Sequence, residues 1–299
     1  MEFFVAQLVN GILVGSFVAL VALGYTIVYG VLRLINFANG STYMLGAFIG
    51  LSLLNLLGDL PTWLAIVVTL LITGCATGLV GVATERFAYR PLRSQPVLVM
   101  LVSALAMAFV IENLVLAIPA WGSSNHPYPV SLPGGSIKLG SVTILASQMV
   151  ILGAAVLLLV AMYLFVTRTI HGKAMRAVAV DRDAAQLVGV NINRVLSTVF
   201  FASAFVAGVT GVLAGLYFGT VQYKMGFNVG AVAFTAAVLG GIGNIPGAVL
   251  GGLLIGVLQS LGTGYLGSEW QDVFAFVILI AVLIVRPHGI LGEKVGSRA

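Results

Sequence analysis

One group of polar side chains could contact a small solute, and it lies between residues 25 and 43 in otherwise apolar sequence. Its members are uncharged hydroxyl and amide groups: Tyr25, Tyr29, Asn36, Asn39, Ser41 and Tyr43. Polar groups inside a membrane are costly and mark solute pathways. The group therefore predicts an uncharged, hydrogen-bonding lining for a conduit. The alternative is that Asn36 and Asn39 cap a helix or stabilise a bend beside Arg33.

Glu112, followed by Asn113, is the only carboxylate well inside a predicted membrane-crossing segment. An ionisable group at such a position is by default a candidate functional residue. Glu112 also lies near the outer end of its segment, where it could reach water, so a pathway role and a structural role both stay open. His126, His171 and His288 have no partner at ligand spacing, and the sequence predicts no metal site and no catalytic residue.

Apolar helices must position these residues. The chain has 299 residues, of which 60% are hydrophobic and 8% charged, and this composition excludes a soluble globular domain and a nucleic-acid-binding module. Charge-free stretches that can cross about 30 Å of hydrocarbon lie at 3–32, 34–58, 60–84, 94–111, 139–167, 195–223 and 225–268. The last stretch is too long for one helix and should break at the glycines and proline of 240–247. The sequence predicts an all-α, polytopic membrane protein with eight to nine transmembrane helices in one transmembrane domain, 1–299. Cys75 is expected to be a small core residue.

Basic residues indicate the orientation, because short cytoplasmic loops retain Lys and Arg. With the N-terminus outside and the C-terminus in the cytoplasm, all basic residues except Lys138 and Lys224 lie inside. The cytoplasmic set is Arg33, Arg86, Arg90, Arg93, Arg168, Lys173, Arg176, Arg182, Arg194, Arg286, Lys294 and Arg298. The sequence therefore predicts a multi-pass plasma-membrane protein with this orientation.

The loop 167–194 is the longest polar stretch of the chain. Its pattern predicts a helix over 173–180, a second short helix capped by Asp181 and ended by Gly189, and a cap at Asn193 for the next long helix. Two such helices would lie on the cytoplasmic face and present small and charged residues to a partner. A solvated basic loop that only obeys the charge rule is the alternative.

Five motifs together resemble the branched-chain amino acid ABC transporter permeases over nearly the whole chain, and specifically their first, LivH-like subunit. The first motif is Gly172-Lys173-Ala174-Met175-Arg176-Ala177, followed by Asp181, Ala184 and Gly189-Val190-Asn191. The others occupy 24–30, 35–38, 85–93 and 234–248. One departure is Asn39, which stands where that subunit usually has His.

The resemblance implies a binding-protein-dependent ABC importer of the larger-bundle, type II-like class for branched-chain or other neutral amino acids in a bacterial inner membrane. Its partners would be a second, LivM-like permease subunit, two cytoplasmic ATPase subunits, and a periplasmic or extracellular amino-acid-binding protein that meets the external loop 119–142. The loop 167–194 would couple to the ATPases through Gly172, Lys173, Ala174, Arg176, Ala177, Asp181, Arg182, Asp183, Ala184 and Gly189.

ATP and Mg²⁺ would be bound by the ATPase subunits, because Gly172-Lys173 lacks the other residues of a phosphate-binding loop. This chain is thus expected to be no enzyme and to bind no cofactor. The Asn39 departure keeps urea or a short amide open as an alternative substrate. A self-sufficient secondary transporter or channel is disfavoured, because only Glu112 could carry a proton or bind a cation and because the polar loop would have no use.

Overall fold

The computed structural model of the chain describes residues 2–129, 135–139, 142–267, 270–285 and 289–292. Its helices are α1 Glu2–Leu32, α2 Ala38–Leu56, α3 Thr62–Thr84, α4 Val97–Ala117, α5 Ala146–Arg168, α6 Ile170–Val180, α7 Arg182–Leu187, α8 Ile192–Phe218, α9 Met225–Gly240, α10 Ile245–Leu266 and α11 Gln271–Val285. A π-helical turn, Glu85–Tyr89, and a 3-10 turn, Arg90–Leu92, follow α3. Arg286, His288, Lys294, Arg298 and part of the loop 119–142 lie outside the described residues.

Two short antiparallel strand pairs lie in the connections at one end of the bundle, which we call the hairpin face. Strand β1, His126–Pro127, pairs with β4, Thr220–Val221, and β2, Ser136–Leu139, pairs with β3, Val142–Leu145. Helices α6 and α7 lie at the opposite end, which we call the basic face. The sequence analysis did not predict the strands.

Six of the described helices are long and apolar enough to cross a bilayer, namely α1, α3, α4, α5, α8 and α10. Helices α2, α9 and α11 are shorter, with 19, 16 and 15 residues, and complete the bundle. The expected eight to nine crossings agree with this arrangement. The predicted break in 225–268 is confirmed, since α9 ends at Gly240 and α10 begins at Ile245.

Helices α1 and α8 form the centre of the bundle, and α4 and α5 its outside. In the most apolar 18-residue stretch of each helix, 89% of the stretch is buried in α1 and 83% in α8, against 22% in α4 and 17% in α5. The apolar side chains of α4 and α5 therefore face outward, as contact with lipid requires. Cys75 is exposed on α3, so its interpretation as a core residue is wrong. The neighbouring Gly74 takes the inward position, where a Cβ would lie 2.5 Å from the ring of Phe205.

Glycine contacts hold the central helices close together. Gly11 and Gly15 of α1 pack directly on the backbone of α10 at Val257 and Gly256, and added Cβ atoms would collide there. Small residues at such positions let helix backbones approach without a hydrophobic drive between them, and the packing gains its stability from close van der Waals contact. Gly11 and Gly15, four residues apart on one face of α1, thus mark a helix interface.

Helices α2 and α9 begin inside the bundle rather than at its ends. The chain turns after α1 at Arg33, whose φ is +55°, and α2 starts beside Gly24, about 12 Å along the axis from the end of α1. Helix α9 starts at the same level, because a Cβ on Gly226 would lie 2.9 Å from the Gly40 carbonyl oxygen. Two helix starts therefore meet near mid-depth and place their flanking polar residues there.

Candidate functional site

Helices α6 and α7 form the helix pair that the sequence predicts within 167–194. Oδ1 of Asp181 accepts hydrogen bonds from the backbone N–H groups of Asp183 and Ala184, at 2.9 and 3.0 Å, and so caps α7. Gly189 ends α7 with a φ of +86°, the left-handed conformation that glycine adopts without strain. The predicted cap and the predicted end of this helix are both confirmed.

The predicted cap of the following helix is wrong by two residues. Oδ1 of Asn191, not of Asn193, accepts the backbone N–H of Arg194 at 3.1 Å and caps α8. Both asparagines fit the local pattern of a cap. A residue distant in sequence decides which asparagine is the cap, because Oδ1 of Asn193 instead accepts a hydrogen bond from the guanidinium of Arg93 at 2.6 Å.

The exposed side of the helix pair, here called the helix-pair surface, combines charge with apolar bulk. Of the ten predicted coupling residues, Gly172 is buried, Ala174 is half-buried, and the others are exposed: Lys173, Arg176, Ala177, Asp181, Arg182, Asp183, Ala184 and Gly189. Large apolar side chains lie beside them with exposed fractions of 78%, 86%, 89% and 79%: Ile170, Val180, Leu187 and Val188. Clustered exposed apolar side chains rimmed by polar ones indicate a protein-binding surface.

The inner side of the helix pair is attached firmly to the bundle. Met175, Val178 and Ala185 are buried in the same cluster as the last turn of α1 and the first turns of α8. Arg182 extends from α7 and donates to the carbonyl oxygens of Val31 and Leu32 at 3.3 and 3.2 Å. These are carbonyls at the end of α1 that lack partners within the helix, and a cation there is also favoured by the helix dipole. Arg182 thereby ties α7 to the end of α1.

A buried ion pair joins the chain after α3 to the start of α8. Glu85 is 1% exposed; one carboxylate oxygen pairs with Arg93, and the other accepts a hydrogen bond from Ser197 at 2.9 Å. Arg93 also holds Asn193. Burial lowers the pKa of the Arg93 guanidinium, and the facing carboxylate of Glu85 acts in the opposite direction. The network ties the chain after α3 to the first turns of α8 at the basic face.

Two clefts border the helix pair. One has a volume of about 420 Å³ and is lined among others by Thr26, Gly30, Met175, Arg176 and Gly243. The other is an open groove of about 1120 Å³, lined among others by Arg93, Arg182, Asp183, Asn191 and Asn193. Within the described ranges, no three His, Cys, Asp or Glu residues lie together as metal ligands.

Most of the predicted pathway residues lie in the core of the bundle. Asn39 links three helices: its Nδ2 donates to the Val21 carbonyl at 3.2 Å, and its Oδ1 accepts from Ser203 at 2.9 Å. Oδ1 of Asn36 accepts the backbone N–H of Ala38 at 3.2 Å and thereby supports the start of α2. Asn36 thus makes a local contact at the bend, as in the alternative interpretation, whereas Asn39 makes contacts between helices. A role of either in contacting solute stays a prediction.

The tyrosines of the predicted group differ in exposure. Tyr25 and Tyr43 are buried in one cluster, and the Tyr25 ring packs against Phe234 with the ring centroids 6.3 Å apart. Tyr29 is half-buried. A role of these three in contacting solute stays a prediction.

The structure brings Ser41 and Glu112 together. The Ser41 hydroxyl donates to Oε1 of Glu112 at 3.1 Å, although the two residues are 71 positions apart. Glu112 is half-buried, and Asn113 next to it is exposed and donates to the carbonyl of Phe109 at 2.8 Å. Because Ser41 belongs to the first turn of α2, this contact places Glu112 near mid-depth, at the level where α2 and α9 begin.

Four contributing residues were missed by the sequence analysis: Glu85, Ser197, Tyr89 and Ser203. The Tyr89 hydroxyl donates to Oδ1 of Asn36 at 3.3 Å, and Ser203 holds Asn39. Glu85 carried a usable signal, because it is an acidic residue at the end of an apolar stretch with arginines following it. The serines and Tyr89 carried none, since nothing local distinguishes them from other polar residues in apolar segments.

On the hairpin face, Tyr128 anchors the connection between α4 and α5. Its hydroxyl donates to the Ala47 carbonyl at 3.0 Å, and its ring packs against Gly215. Burial raises the pKa of Tyr128, so the phenol stays neutral and keeps its proton for this bond. Part of the loop 119–142 is thus fixed to α2 and α8.

An apolar helix bundle with six helices long enough to span a bilayer defines a polytopic membrane protein. The chain belongs to the family described as branched-chain amino acid transport system permease component, whose model matches residues 7–283. It is 41% identical over 297 residues to the high-affinity branched-chain amino acid transport system permease protein BraD of Pseudomonas aeruginosa, covering 97% of this chain and 96% of BraD. It is 39% identical over 299 residues to the LivH permease protein of Escherichia coli K12, with the same coverage. A probable LivH of Methanocaldococcus jannaschii is 28% identical over 297 residues.

Proposed function

We propose that the chain is the transmembrane permease subunit of a binding-protein-dependent ABC importer for branched-chain or other neutral amino acids. The observation that carries this proposal is the helix-pair surface, which is exposed, charged and apolar and is tied by Arg182 to the end of α1. A secondary transporter has no use for such a surface. Membership of the permease family and the names of its relatives support the substrate class over urea or a short amide.

The orientation we propose has the N-terminus outside and the C-terminus in the cytoplasm of a bacterial inner membrane. Arg33, the Glu85–Arg93 pair and the helix pair all lie at the basic face, as cytoplasmic segments of a bacterial membrane protein do. The hairpin face is then external. A periplasmic or extracellular amino-acid-binding protein would dock there, on the connection that Tyr128 anchors.

ATP binding and hydrolysis take place on two separate cytoplasmic ATPase subunits in this proposal. They hold α6 and α7 through exposed apolar side chains such as Leu187 and through charges such as Lys173 and Asp183. Closure of the ATPase dimer on ATP displaces the helix pair, and because the pair is packed on α1 and α8, the bundle moves with it. A second, LivM-like permease subunit would complete the pathway.

The test is reconstitution of the chain in liposomes, alone and with the second permease, the ATPases and the loaded binding protein. We expect ATP-dependent uptake of leucine only by the complete assembly, without inhibition by an excess of urea or acetamide. Purified alone, the chain should hydrolyse no ATP. Accumulation of leucine by the chain alone would overturn the division of labour, and competition by urea would overturn the substrate class.

A further inference from the structure

The starts of α2 and α9 meet near mid-depth of the bundle. A Cβ on Gly226 would lie 3.1 Å from the Cα of Ser41 and 2.9 Å from the Cβ of Met44. The two helix starts are therefore in direct backbone contact. Side chains that project toward solvent from the first turn of either helix therefore share a small space.

Two opposite charges, Glu112 and Lys224, project from this space. Lys224 lies between Tyr223 and Met225, which pack against one apolar cluster of α2 and α4. Ile111, the neighbour of Glu112, belongs to the same cluster. Both charged residues lie near Ser41, since Glu112 accepts its hydrogen bond and Gly226, two residues after Lys224, contacts its backbone.

Neither charge is neutralised by the protein. The Lys224 ammonium is exposed, and the interaction found for it is with the face of its neighbour Tyr223, 5.7 Å from the ring centroid. Glu112 accepts one hydrogen bond, from Ser41. In the part of the chain that the structure describes, the ion pair is the one between Glu85 and Arg93, so Glu112 and Lys224 do not pair with each other.

The surface around these charges is unsuited to lipid. Asn228, one turn after Lys224, is exposed as well. By contrast, the outward side of α3 is apolar and compatible with acyl chains, with exposed Leu64, Val67, Leu71, Ile72 and Leu79. Because charged and amide side chains at membrane depth are stable only beside water or protein, the side of the bundle with Glu112, Lys224 and Asn228 borders a hydrated space or another protein and does not face acyl chains.

Apolar side chains lie on α9, which begins after Lys224, and on α2, which bonds to Glu112 through Ser41. Phe227 is 63% exposed on the same turn of α9 as Lys224 and Asn228. Leu45 and Ile49 of α2 are half-buried, at positions four and eight residues after Ser41 on the same side of the helix. The region therefore offers one negative group, one positive group and an apolar wall.

We propose that Glu112 and Lys224 form a transit site for the zwitterionic head group of an α-amino acid. The Glu112 carboxylate receives the α-ammonium, the Lys224 ammonium receives the α-carboxylate, and Phe227, Leu45 and Ile49 contact the apolar side chain. This inference rests on the proposed function and deepens it. Because both charges are partly hydrated, the site holds its solute weakly and selects for the head group, while the binding protein selects the side chain.

The test uses the complete assembly in liposomes with leucine uptake as the readout. We expect Glu112→Gln and Lys224→Gln each to lower the maximal uptake rate about tenfold or more, since each removes one charge-assisted contact. Lys224→Arg keeps the positive charge and should keep most of the rate. The half-saturating concentration of loaded binding protein should not change. Matched controls are Asp59→Asn and Lys138→Gln, which remove the same charges at the hairpin face.

A second measurement tests whether the surface is hydrated. In a Cys75→Ser background, Asn228→Cys should react with a membrane-impermeant maleimide added outside, and Leu71→Cys on the lipid side should not. If the maleimide reacts with neither cysteine, the proposal is overturned. So would loss of the second permease on purification of the Glu112→Gln or Lys224→Gln assembly, because the charges would then bind that subunit. Normal uptake by both variants refutes the transit site alone, whereas absence of leucine uptake by the wild-type assembly refutes the proposed function.

Discussion

Removal of Arg93 should destabilise the chain far more than removal of a neighbouring arginine. Glu85 is 1% exposed and would keep only the hydrogen bond from Ser197, leaving a buried carboxylate without a counter-charge. Breaking a buried ion pair from one side costs about 3–5 kcal/mol. Arg93 is itself 23% exposed beside an open groove, so water reaches the site and the lower limit applies. We therefore expect Arg93→Gln to cost about 3 kcal/mol, roughly a hundredfold in the ratio of folded to unfolded chain.

The double variant Glu85→Gln with Arg93→Gln separates this cause from loss of packing. It removes both charges and leaves neutral amides that can bond to each other and to Ser197, so its cost should be about 1 kcal/mol. The measurement is reversible unfolding in mixed detergent and SDS micelles, followed by circular dichroism. Arg90→Gln, an exposed arginine on the adjacent turn, is the control and should be nearly neutral. A double variant as unstable as Arg93→Gln would refute the reasoning.

Three further outcomes are expected. Asp183→Lys reverses a charge of the helix-pair surface and should abolish uptake without lowering the amount of folded subunit in the membrane; unchanged leucine uptake by the assembly would exclude the docking role. Asn39→Asp loses the donor to Val21 and adds a buried charge, so it should lower folded yield by a measurable fraction in detergent gel filtration, and a normal elution profile would contradict this. Gly40→Ala should cost about 1–3 kcal/mol in the same unfolding assay, because its Cβ would lie 2.8 Å from the Cα of Gly230, while Gly153→Ala, into open space, should not destabilise the chain.

The features that were predicted correctly depend on neighbours in sequence. Asp181 caps α7 because its side-chain oxygen lies two and three residues before backbone N–H groups that have no partner within the helix. This geometry depends only on the local sequence, wherever the helix lies in the fold. Gly189 and the glycines of 240–247 end helices for similarly local reasons. Long charge-free stretches predicted the number of crossings, because the thickness of a bilayer sets the length that an apolar helix must have.

The features that were missed or wrong depend on contacts between distant segments. Asn191 and Asn193 are equally suitable caps, and Arg93, a hundred positions away, decides between them. The depth of Glu112 follows from its bond to Ser41, which no spacing rule contains. Charge-free stretches also do not indicate where a helix starts, so the start of α2 inside the bundle could not be read from 34–58.

The exposed Leu187 and Val188 of the helix-pair surface have a consequence for how cells must produce this protein. These side chains lie outside the bilayer and are 89% and 79% exposed in the isolated chain. In a copy synthesised without its ATPase partner, these side chains would stay exposed. Chaperones and proteases bind exposed apolar side chains, and such a copy would also risk aggregation. Balanced synthesis of the subunits, for instance from one messenger RNA, would therefore protect the permease from degradation before assembly.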